Sequence, residues 1–316
     1  MNNEEKKIYH IKPVFTQALW GGQQLKEKYG YESDLDNIGE CYNVIALKGF
    51  LDCDVLETKE KLSDFYHNNL DLFGCDTKEM PVRAAMACTI MPMSVQIHPD
   101  NEYALKYDGK LGKPDGVYVI EGKGTVEFGH YALTKEEFRE LVETENWDKL
   151  LRYIPVEAGD FLDMPFGTLH ALGANMVYIE FSQNADNTYR LYDYKRQQID
   201  PKTGKPRTLQ VEKVIDCVTI PQNETSIATL EVIKTSDKEI TIFHDEPGLY
   251  SCGKIVVRER AKYNKNEFYF LTCIEGFGKI NEIDIKGGET LFVPKDFGEI
   301  ELIGDFTLTY VTYVKP

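Results

Sequence analysis

The segment that is most informative about the fold reads Glu157-Ala-Gly-Asp-Phe-Leu-Asp-Met-Pro165-Phe-Gly-Thr-Leu-His170-Ala. In it a glycine turn leads into a short apolar strand, and a proline corner then precedes a histidine. A later segment, Ile285-Lys-Gly-Gly-Glu-Thr-Leu-Phe-Val-Pro294-Lys-Asp-Phe-Gly, has the same turn, strand and corner but no histidine. Two such segments in one chain are typical of two related β-barrel units. The first unit is expected to carry the chemistry and the second to be structural.

Most of the remaining chain is divided into short apolar runs that are bounded by Gly, Pro, Asp or Asn, as expected for strands. Two stretches with helical spacing interrupt them, near 63–73 and near 134–151, where Thr134 to Glu137 forms a capping box. This pattern favours a mainly β sandwich or jelly roll over a doubly wound sheet. We expect strands over residues 94–97, 116–121, 125–128, 161–164 and 176–181.

A polar, turn-rich composition between residues 197 and 225 predicts a division of the chain in two. We expect residues 1–222 to form a metal-binding, catalytic β domain that contains the two helical insertions. Residues 223–316 are expected to form a second β domain without metal.

The composition excludes several functional classes. Of the 316 residues, 42% are hydrophobic and 12% aromatic, which is too much apolar material for a disordered chain. The net charge of −16 argues against nucleic-acid binding, which needs basic stripes to meet the phosphates. An anionic substrate would therefore need a local cationic pocket.

The lack of a recognisable targeting signal and the spacing of the cysteines favour the cytoplasm. The N-terminus reads Met-Asn-Asn-Glu-Glu-Lys-Lys without an apolar segment behind it, and no run of 18 apolar residues predicts a membrane span. Seven cysteines without a CxxC spacing are typical of a reducing compartment. The sequence leaves the oligomeric state open.

Gln96 and His98 are two residues apart in a predicted strand, so their side chains project from the same face. An amide oxygen and an imidazole nitrogen would then point to one place. The alternative interpretation is a polar strand end.

His170 follows Gly159, Pro165 and Gly167 at a spacing that resembles the second motif of the cupin superfamily. In those proteins the hairpin directs the histidine into the barrel. A loop histidine is the alternative here. Asp115 alone would be a turn residue, but with Gln96, His98 and His170 it completes a mixed nitrogen and oxygen set suited to zinc or another divalent ion.

The segment from Glu180 to Arg196 contains three cations, Arg190, Lys195 and Arg196. Arginine suits bidentate recognition of phosphate or carboxylate, whereas lysine acts as a point charge. A solvated positive loop is a serious alternative for Lys195 and Arg196 and a weaker one for Arg190, which lies among aromatic residues.

Taken together, these motifs resemble the type I mannose-6-phosphate isomerases, also called phosphomannose isomerases, in the compact bacterial branch of the zinc-dependent cupins. The similarity covers most of the chain. Its residues are Leu19-Trp20-Gly21-Gly22, Ile38-Gly39-Glu40, Ser94 to Pro99, Lys113-Pro114-Asp115, Pro165 to Ala171, and Gln183 to Tyr194.

The resemblance implies a fold of two cupin-type jelly-roll barrels and an enzyme that interconverts mannose 6-phosphate and fructose 6-phosphate through an enediol. It places the metal ligands, with zinc as the expected ion, at Gln96, His98, Asp115 and His170. It also implies that Arg190 is the catalytic arginine and that Lys113 and Glu180 line the pocket as candidate bases. From their charge, Lys195, Arg196 and Arg83 are candidates for holding the phosphate.

Two positions depart from the family pattern. Asp115 stands where the family normally has Glu, which shortens the reach to a metal by about 1.5 Å. The segment around Ala85 lacks the lysine that compact bacterial members carry there. Two alternatives therefore stay open beside the isomerase: a related cupin enzyme for another phosphosugar, and a non-catalytic protein that binds sugar or metal.

Overall fold

A computed structural model describes residues 6–196, 199, 205, 207–222 and 225–316. Two helical regions lie where the sequence predicts them: α2 and α3 within 62–73, and α5 and α6 within 135–150. Thr134 accepts the backbone N–H of Glu137 at 3.1 Å and so begins α5 as a capping residue. The helices in the described part of the chain are α1 Gln24–Tyr29, α2 Leu62–Asn68, α3 Leu70–Phe73, α4 Asn101–Asp108, α5 Lys135–Glu143, α6 Trp147–Leu150 and α7 Val211–Cys217.

Strands make up most of the regular secondary structure. Those before residue 222 are β1 Tyr9–Lys12, β2 Val14–Thr16, β3 Glu40–Val44, β4 Asp54–Val55, β5 Glu60–Lys61, β6 Val82–Thr89, β7 Val95–Ile97, β8 Asp115–Glu121, β9 Lys123–His130, β10 Leu151–Glu157, β11 Phe161–Met164, β12 His170–Ala171, β13 Met176–Gln183 and β14 Tyr189–Tyr192. Those after it are β15 Glu231–Lys234, β16 Lys238–Asp245, β17 Ser251–Val257, β18 Arg260–Tyr263, β19 Tyr269–Ile280, β20 Ile283–Lys286, β21 Thr290–Val293 and β22 Ile300–Thr312. The mainly β class is thus confirmed, and all five predicted strands are present.

Two antiparallel sheets pack face to face in the part of the chain before residue 222, which we call the first segment; the part after it is the second segment. One has the strand order β11-β8-β13-β6-β3-β2, and the other has the order β10-β9-β12-β7-β14. A shared apolar cluster joins Val126 and Phe128 of β9 to Val117 of β8 and Tyr178 of β13. This two-layer arrangement is compatible with a jelly roll.

A third sheet contains the strands after residue 222, but it also includes β1, β4 and β5 from the start of the chain. Tyr9 of β1 pairs with Phe292 of β21, so the two ends of the chain share one sheet. Behind β8 the ring of Phe243 stacks on Tyr118 at 4.6 Å and on Phe161 at 5.0 Å. The second segment therefore packs directly against the strand that begins at Asp115.

The division expected after residue 222 adjoins positions 223 and 224, which lie outside the described residues. Of the expected turn-rich connection, residues 197, 198, 200–204 and 206 also lie outside them, and its described part contains helix α7. Among the described residues, no helix is long and apolar enough to cross a membrane.

Candidate metal centre

Gln96 lies in the short strand β7, and His98 follows directly after its end. The strand stops there because Asp100 caps helix α4, accepting the backbone N–H of Tyr103 at 2.8 Å. Nδ1 of His98 lies 2.7 Å from the carbonyl oxygen of Asn187. A carbonyl only accepts hydrogen bonds, so Nδ1 carries the proton and Nε2 is directed to the opposite side.

His170 begins β12 and is the direct backbone partner of Gln96 in β7. The preceding turn needs a glycine: Gly167 has φ of +75°, and a Cβ there would lie 2.5 Å from the carbonyl oxygen of Cys217. Nδ1 of His170 donates to the carbonyl oxygen of Thr168 at 2.9 Å. Its Nε2 therefore has a lone pair to offer, as that of a metal-binding histidine does.

Asp115 is the first residue of β8, in the opposite sheet, and is 1% exposed. Its Oδ2 lies 2.9 Å from Nε2 of His98, while its Oδ1 is buried without a hydrogen bond among the described residues. One ligand atom from each of His98, Asp115 and His170 lies within 4.8 Å of the other two. Two sheets thus meet at one set of three buried donor atoms.

The protonation states of His170 and Asp115 suit metal binding. Burial lowers the pKa of His170 to about 3, so the ring is neutral at neutral pH. Burial alone would raise the pKa of Asp115, but His98 and Lys113 beside it outweigh that effect and hold the pKa below its ordinary value. A neutral imidazole and an ionised carboxylate are the forms that bind divalent ions.

A chain of buried and partly buried charges continues from Asp115 into the neighbouring strands. Nζ of Lys113 lies 2.7 Å from Oδ2 of Asp115 and 2.9 Å from Oε1 of Glu180 in β13. The same Glu180 oxygen is 3.1 Å from Nη1 of Arg83 in β6, whose Nη2 is 3.3 Å from Oε1 of Glu40. The structure therefore brings Lys113, Glu180 and Arg83 together beside the three donor atoms.

Arg190 lies in β14, where its backbone pairs with Gln96 of β7. Since His170 pairs with Gln96 from the other side, these three residues form one row across three strands. Directly opposite residues project from the same face of a sheet, so the arginine belongs to the face that carries the histidine.

The last two predicted cations lie in a turn beyond β14. Tyr194 and Lys195 have positive φ angles of 51° and 57°, and the backbone N–H of Arg196 donates to the carbonyl oxygen of Asp193 at 2.9 Å. Nζ of Lys195 pairs with Glu145 at 2.6 Å, and its side chain is 69% exposed. Arg196 pairs with Asp193 and donates to the carbonyl oxygen of Pro92 at 2.7 Å.

Sequence reasoning gave no role to several residues that the structure places around the centre. Glu40 belongs to a motif that carries the family resemblance, but nothing in its spacing connects it with Arg83. Ser182, which pairs with both Arg83 and Asp115 across the sheet, has a buried hydroxyl group without a described hydrogen bond. Asn187 and Thr168 orient the two histidines through backbone carbonyl groups. Every residue has such a group, so the sequence gives no sign of this role.

Comparison with known proteins gives one consistent result. Mannose-6-phosphate isomerase ManA of Bacillus subtilis is 32% identical over 317 residues, which cover 93% of this chain and 95% of that protein. The crystal structure of mannose 6-phosphate isomerase from Bacillus subtilis superposes with a TM-score of 0.90 at 27% identity, covering 97% of this chain and 99% of the other. A zinc-bound mannose 6-phosphate isomerase superposes with a TM-score of 0.77 at 14% identity, covering 97% and 99%. No protein-family model matches the chain.

Proposed function

The chain belongs to the mannose-6-phosphate isomerase family, and from this premise we propose that it is a metal-dependent isomerase that interconverts mannose 6-phosphate and fructose 6-phosphate. One observation carries the proposal: donor atoms of His98, Asp115 and His170, all buried, lie within 4.8 Å of one another. Both histidines are oriented through Nδ1 by a backbone carbonyl group. Imidazole nitrogens and a carboxylate oxygen that meet at one point are the ligands that a divalent ion such as zinc accepts.

We assign the metal ligands to Gln96, His98, Asp115 and His170, with zinc as the ion. Zinc accepts imidazole nitrogen and carboxylate oxygen ligands at about 2.0–2.2 Å, so two ligands of a tetrahedral site are about 3.3 Å apart. The 2.9 Å between His98 Nε2 and Asp115 Oδ2 is close to that value, which supports Asp115 as a ligand despite its short side chain. A structural relative contains zinc, which supports zinc as the ion.

A bound divalent ion would polarise the sugar oxygens at C1 and C2. In the proposed reaction the proton on C2 of the aldose moves to a base and then to C1, while O1 gains a proton and O2 loses one. Arg83 and Lys113 hold Glu180 through its Oε1, which leaves Oε2 for a substrate proton, so we propose Glu180 as the base. Lys113 contacts two carboxylates and is better suited to hold Glu180 and donate hydrogen bonds than to remove a proton.

Arg190 is proposed to stabilise the negative charge that develops on the enediol oxygens. It shares a cross-strand row with Gln96 and His170, so a sugar at the metal would lie beside it. We propose Lys195 and Arg196 as the phosphate contacts because their turn follows β14 directly. Arg83 is a third candidate by its charge, but its guanidinium group is already paired with Glu180 and Glu40.

The first experiment measures turnover of mannose 6-phosphate by the metal-replete protein, coupled to the detection of fructose 6-phosphate. Chelator treatment and His170→Ala are expected to abolish turnover, and added metal should restore it only to the chelated wild-type protein. Absence of turnover with metal bound would contradict the proposal and leave a non-catalytic binding protein or another sugar.

A second candidate is isomerisation of a different phosphosugar. Ala85 is 2% exposed and pairs with Tyr42 on one side and Glu180 on the other, at a position where the family resemblance leads one to expect a lysine. This position therefore lacks the positive charge that the resemblance implies. A panel of hexose and pentose phosphates separates the two candidates, since preference for another sugar would favour the second.

We also propose that residues 1–222 carry the chemistry and that residues 223–316 support them without metal. The stacking of Phe243 behind β8 supports this division of labour. The cytoplasm is the proposed location, because all seven cysteines are free thiols. The proposed partner is a small phosphosugar, and the acidic charge of −16 disfavours nucleic acid and anionic membrane surfaces.

A further inference from the structure

We infer that Arg83 is a positioning residue, which fixes the Glu180 carboxylate by joining it to Glu40, and that it does not bind the substrate phosphate. The inference rests on the proposed function, because it concerns the residue proposed there as the base. Its basis is the burial of Arg83, its place in the sheet and the atoms that it contacts.

Arg83 is 1% exposed, which makes it one of the largest fully buried side chains among the described residues. Its two terminal nitrogens are divided between Glu180 at 3.1 Å and Glu40 at 3.3 Å. Nη1 also donates to the carbonyl oxygen of Ala185 at 3.4 Å. A phosphate group could bind the guanidinium group only by displacing a carboxylate from it, which would leave a buried charge unpaired.

The sheet holds the guanidinium group in this position. Ala85 pairs with Tyr42 of β3 on one side and with Glu180 of β13 on the other, and its small side chain leaves space on that face. Arg83 precedes Ala85 by two residues and therefore projects from the same face. Its guanidinium carbon lies 4.9 Å from the centre of the Tyr42 ring.

Glu40 is itself held in place. Its Oε2 accepts the hydroxyl hydrogen of Tyr42 at 2.5 Å, while its Oε1 contacts Arg83. The ring of Tyr42 thus packs against the guanidinium group of Arg83, and its hydroxyl group binds the carboxylate of Glu40. This arrangement gives Arg83 an anchored partner on the side away from Glu180.

Arg83 and Lys113 contact the same oxygen of Glu180, Oε1. Two contacts on one oxygen fix the orientation of the carboxylate, and no hydrogen bond to Oε2 is present among the described residues. The Glu180 side chain is 15% exposed, so this second oxygen can contact a substrate. Lysine could not replace Arg83 fully, because an ammonium group lacks the planar fork whose two terminal nitrogens reach Glu180 and Glu40 separately.

The two possible roles predict different kinetics. A residue that binds phosphate equally in substrate and transition state affects KM, whereas a residue that positions the base affects kcat. Arg83→Met and Arg83→Lys are compared with Arg139→Met, which removes an exposed arginine that pairs with Glu212. The measurements are kcat and KM for mannose 6-phosphate, bound zinc per chain and the melting temperature.

We expect kcat of Arg83→Met to fall by about 10- to 100-fold, as for a misplaced catalytic group. KM should stay within about twofold, and zinc content should not change. Arg83→Lys should recover part of the lost kcat, and Arg139→Met should match the wild-type protein. If Arg83→Met does not fold, Arg83→Lys, which keeps the charge, decides the question through a reduced kcat at unchanged KM.

A raised KM at unchanged kcat would overturn the inference in favour of phosphate binding. Loss of zinc from Arg83→Lys would overturn it in favour of a purely structural role, and wild-type kinetics in both variants would show that Arg83 has no role. Wild-type protein that binds zinc but does not turn over mannose 6-phosphate would overturn the proposed function, and the inference would fall with it.

Discussion

His170 and Gln96 are direct partners across β12 and β7, with His170 Nε2 and Gln96 Nε2 3.5 Å apart. The imidazole accepts and the amide donates, because Nδ1 of the histidine already donates to Thr168. This one backbone pair therefore joins the histidine motif around His170 to the motif of Gln96 and His98. With a metal present, the amide could turn its oxygen to the ion, and the same pair would supply two ligands.

The first prediction concerns this pair. His170→Ala removes one of three buried donor groups, so metal affinity should fall by at least about 100-fold. Bound zinc, measured by elemental analysis after dialysis, should be nearly absent from the variant. His10→Ala is the matched control, since His10 lies near the surface and pairs with Glu57. Zinc retained at the wild-type level by His170→Ala would show that the ion binds elsewhere.

The second prediction reverses a departure from the family. Asp115→Glu introduces the residue that the family normally has, but Asp115 is 1% exposed and already lies 2.9 Å from His98 Nε2. An extra methylene group in so tight a position should cost about 1–3 kcal/mol of stability. Zinc affinity should fall as well, because the carboxylate is pushed past its present position.

Chemical unfolding and zinc titration test this expectation. Asp305→Glu makes the same chemical change in a side chain that is 70% exposed, and it should leave both quantities unchanged. Tighter zinc binding by Asp115→Glu at undiminished stability would mean that the short carboxylate is a weak ligand.

The third prediction separates catalysis from metal binding. Arg190→Met should lower kcat by about 100- to 1000-fold, the effect of losing one group that stabilises a developing oxyanion. Zinc content should stay at the wild-type value, since His98, Asp115 and His170 are retained. Arg258→Met, which removes an exposed arginine paired with Asp305, is the control. Equal loss of zinc and of kcat would contradict a catalytic role for Arg190.

The sequence was sufficient to predict much of the fold and of the candidate centre. Short apolar runs bounded by turn residues predicted β7, β8, β9, β11 and β13, and the capping box predicted α5. The similarity to phosphomannose isomerases is confirmed by the family to which the chain belongs. The structure brings donor atoms of His98, Asp115 and His170 together, because short motifs fix which strand end each residue occupies, while the assignment of these residues and Gln96 as ligands stays a prediction.

Long-range contacts between side chains could not be predicted in this way. The pairing of Arg83 with Glu40 and Glu180 depends on the register of β6 with β3 and β13, which no local pattern specifies. Charge alone makes Arg83 a candidate for holding the phosphate, because the sequence does not reveal that its side chain is buried. The entry of β1 into the sheet of the second segment is likewise a non-local event.

The fourth prediction concerns pH. His130 is fully buried, with Nε2 2.9 Å from the carbonyl oxygen of Thr219, and burial lowers its pKa below the ordinary value of 6.5. Below about pH 6.5 the unfolded chain gains a proton on this residue that the folded chain does not, so the free energy of unfolding decreases as the pH falls. Above that pH the contribution is fully present.

His130→Gln keeps an N–H group for the Thr219 carbonyl oxygen but does not titrate. Urea unfolding at pH 7 and pH 5 should therefore show a smaller loss of stability for the variant. The difference should be at most about 1.4 kcal/mol per pH unit. Identical losses in the two proteins would show that His130 is protonated in the folded state or does not contribute.

The fifth prediction tests the contact between the two segments. Phe243 stacks on Tyr118 and Phe161 behind the strand that carries Asp115, and it is 6% exposed. Phe243→Ala should therefore cost about 3–5 kcal/mol of unfolding free energy. Phe277→Ala, at a ring that is 75% exposed, should change it by less than about 0.5 kcal/mol. Because Phe243 contacts the back of β8 and none of the donor atoms, the folded fraction of Phe243→Ala should retain its zinc. Loss of zinc from folded protein would instead mean that the second segment determines where β8 places Asp115.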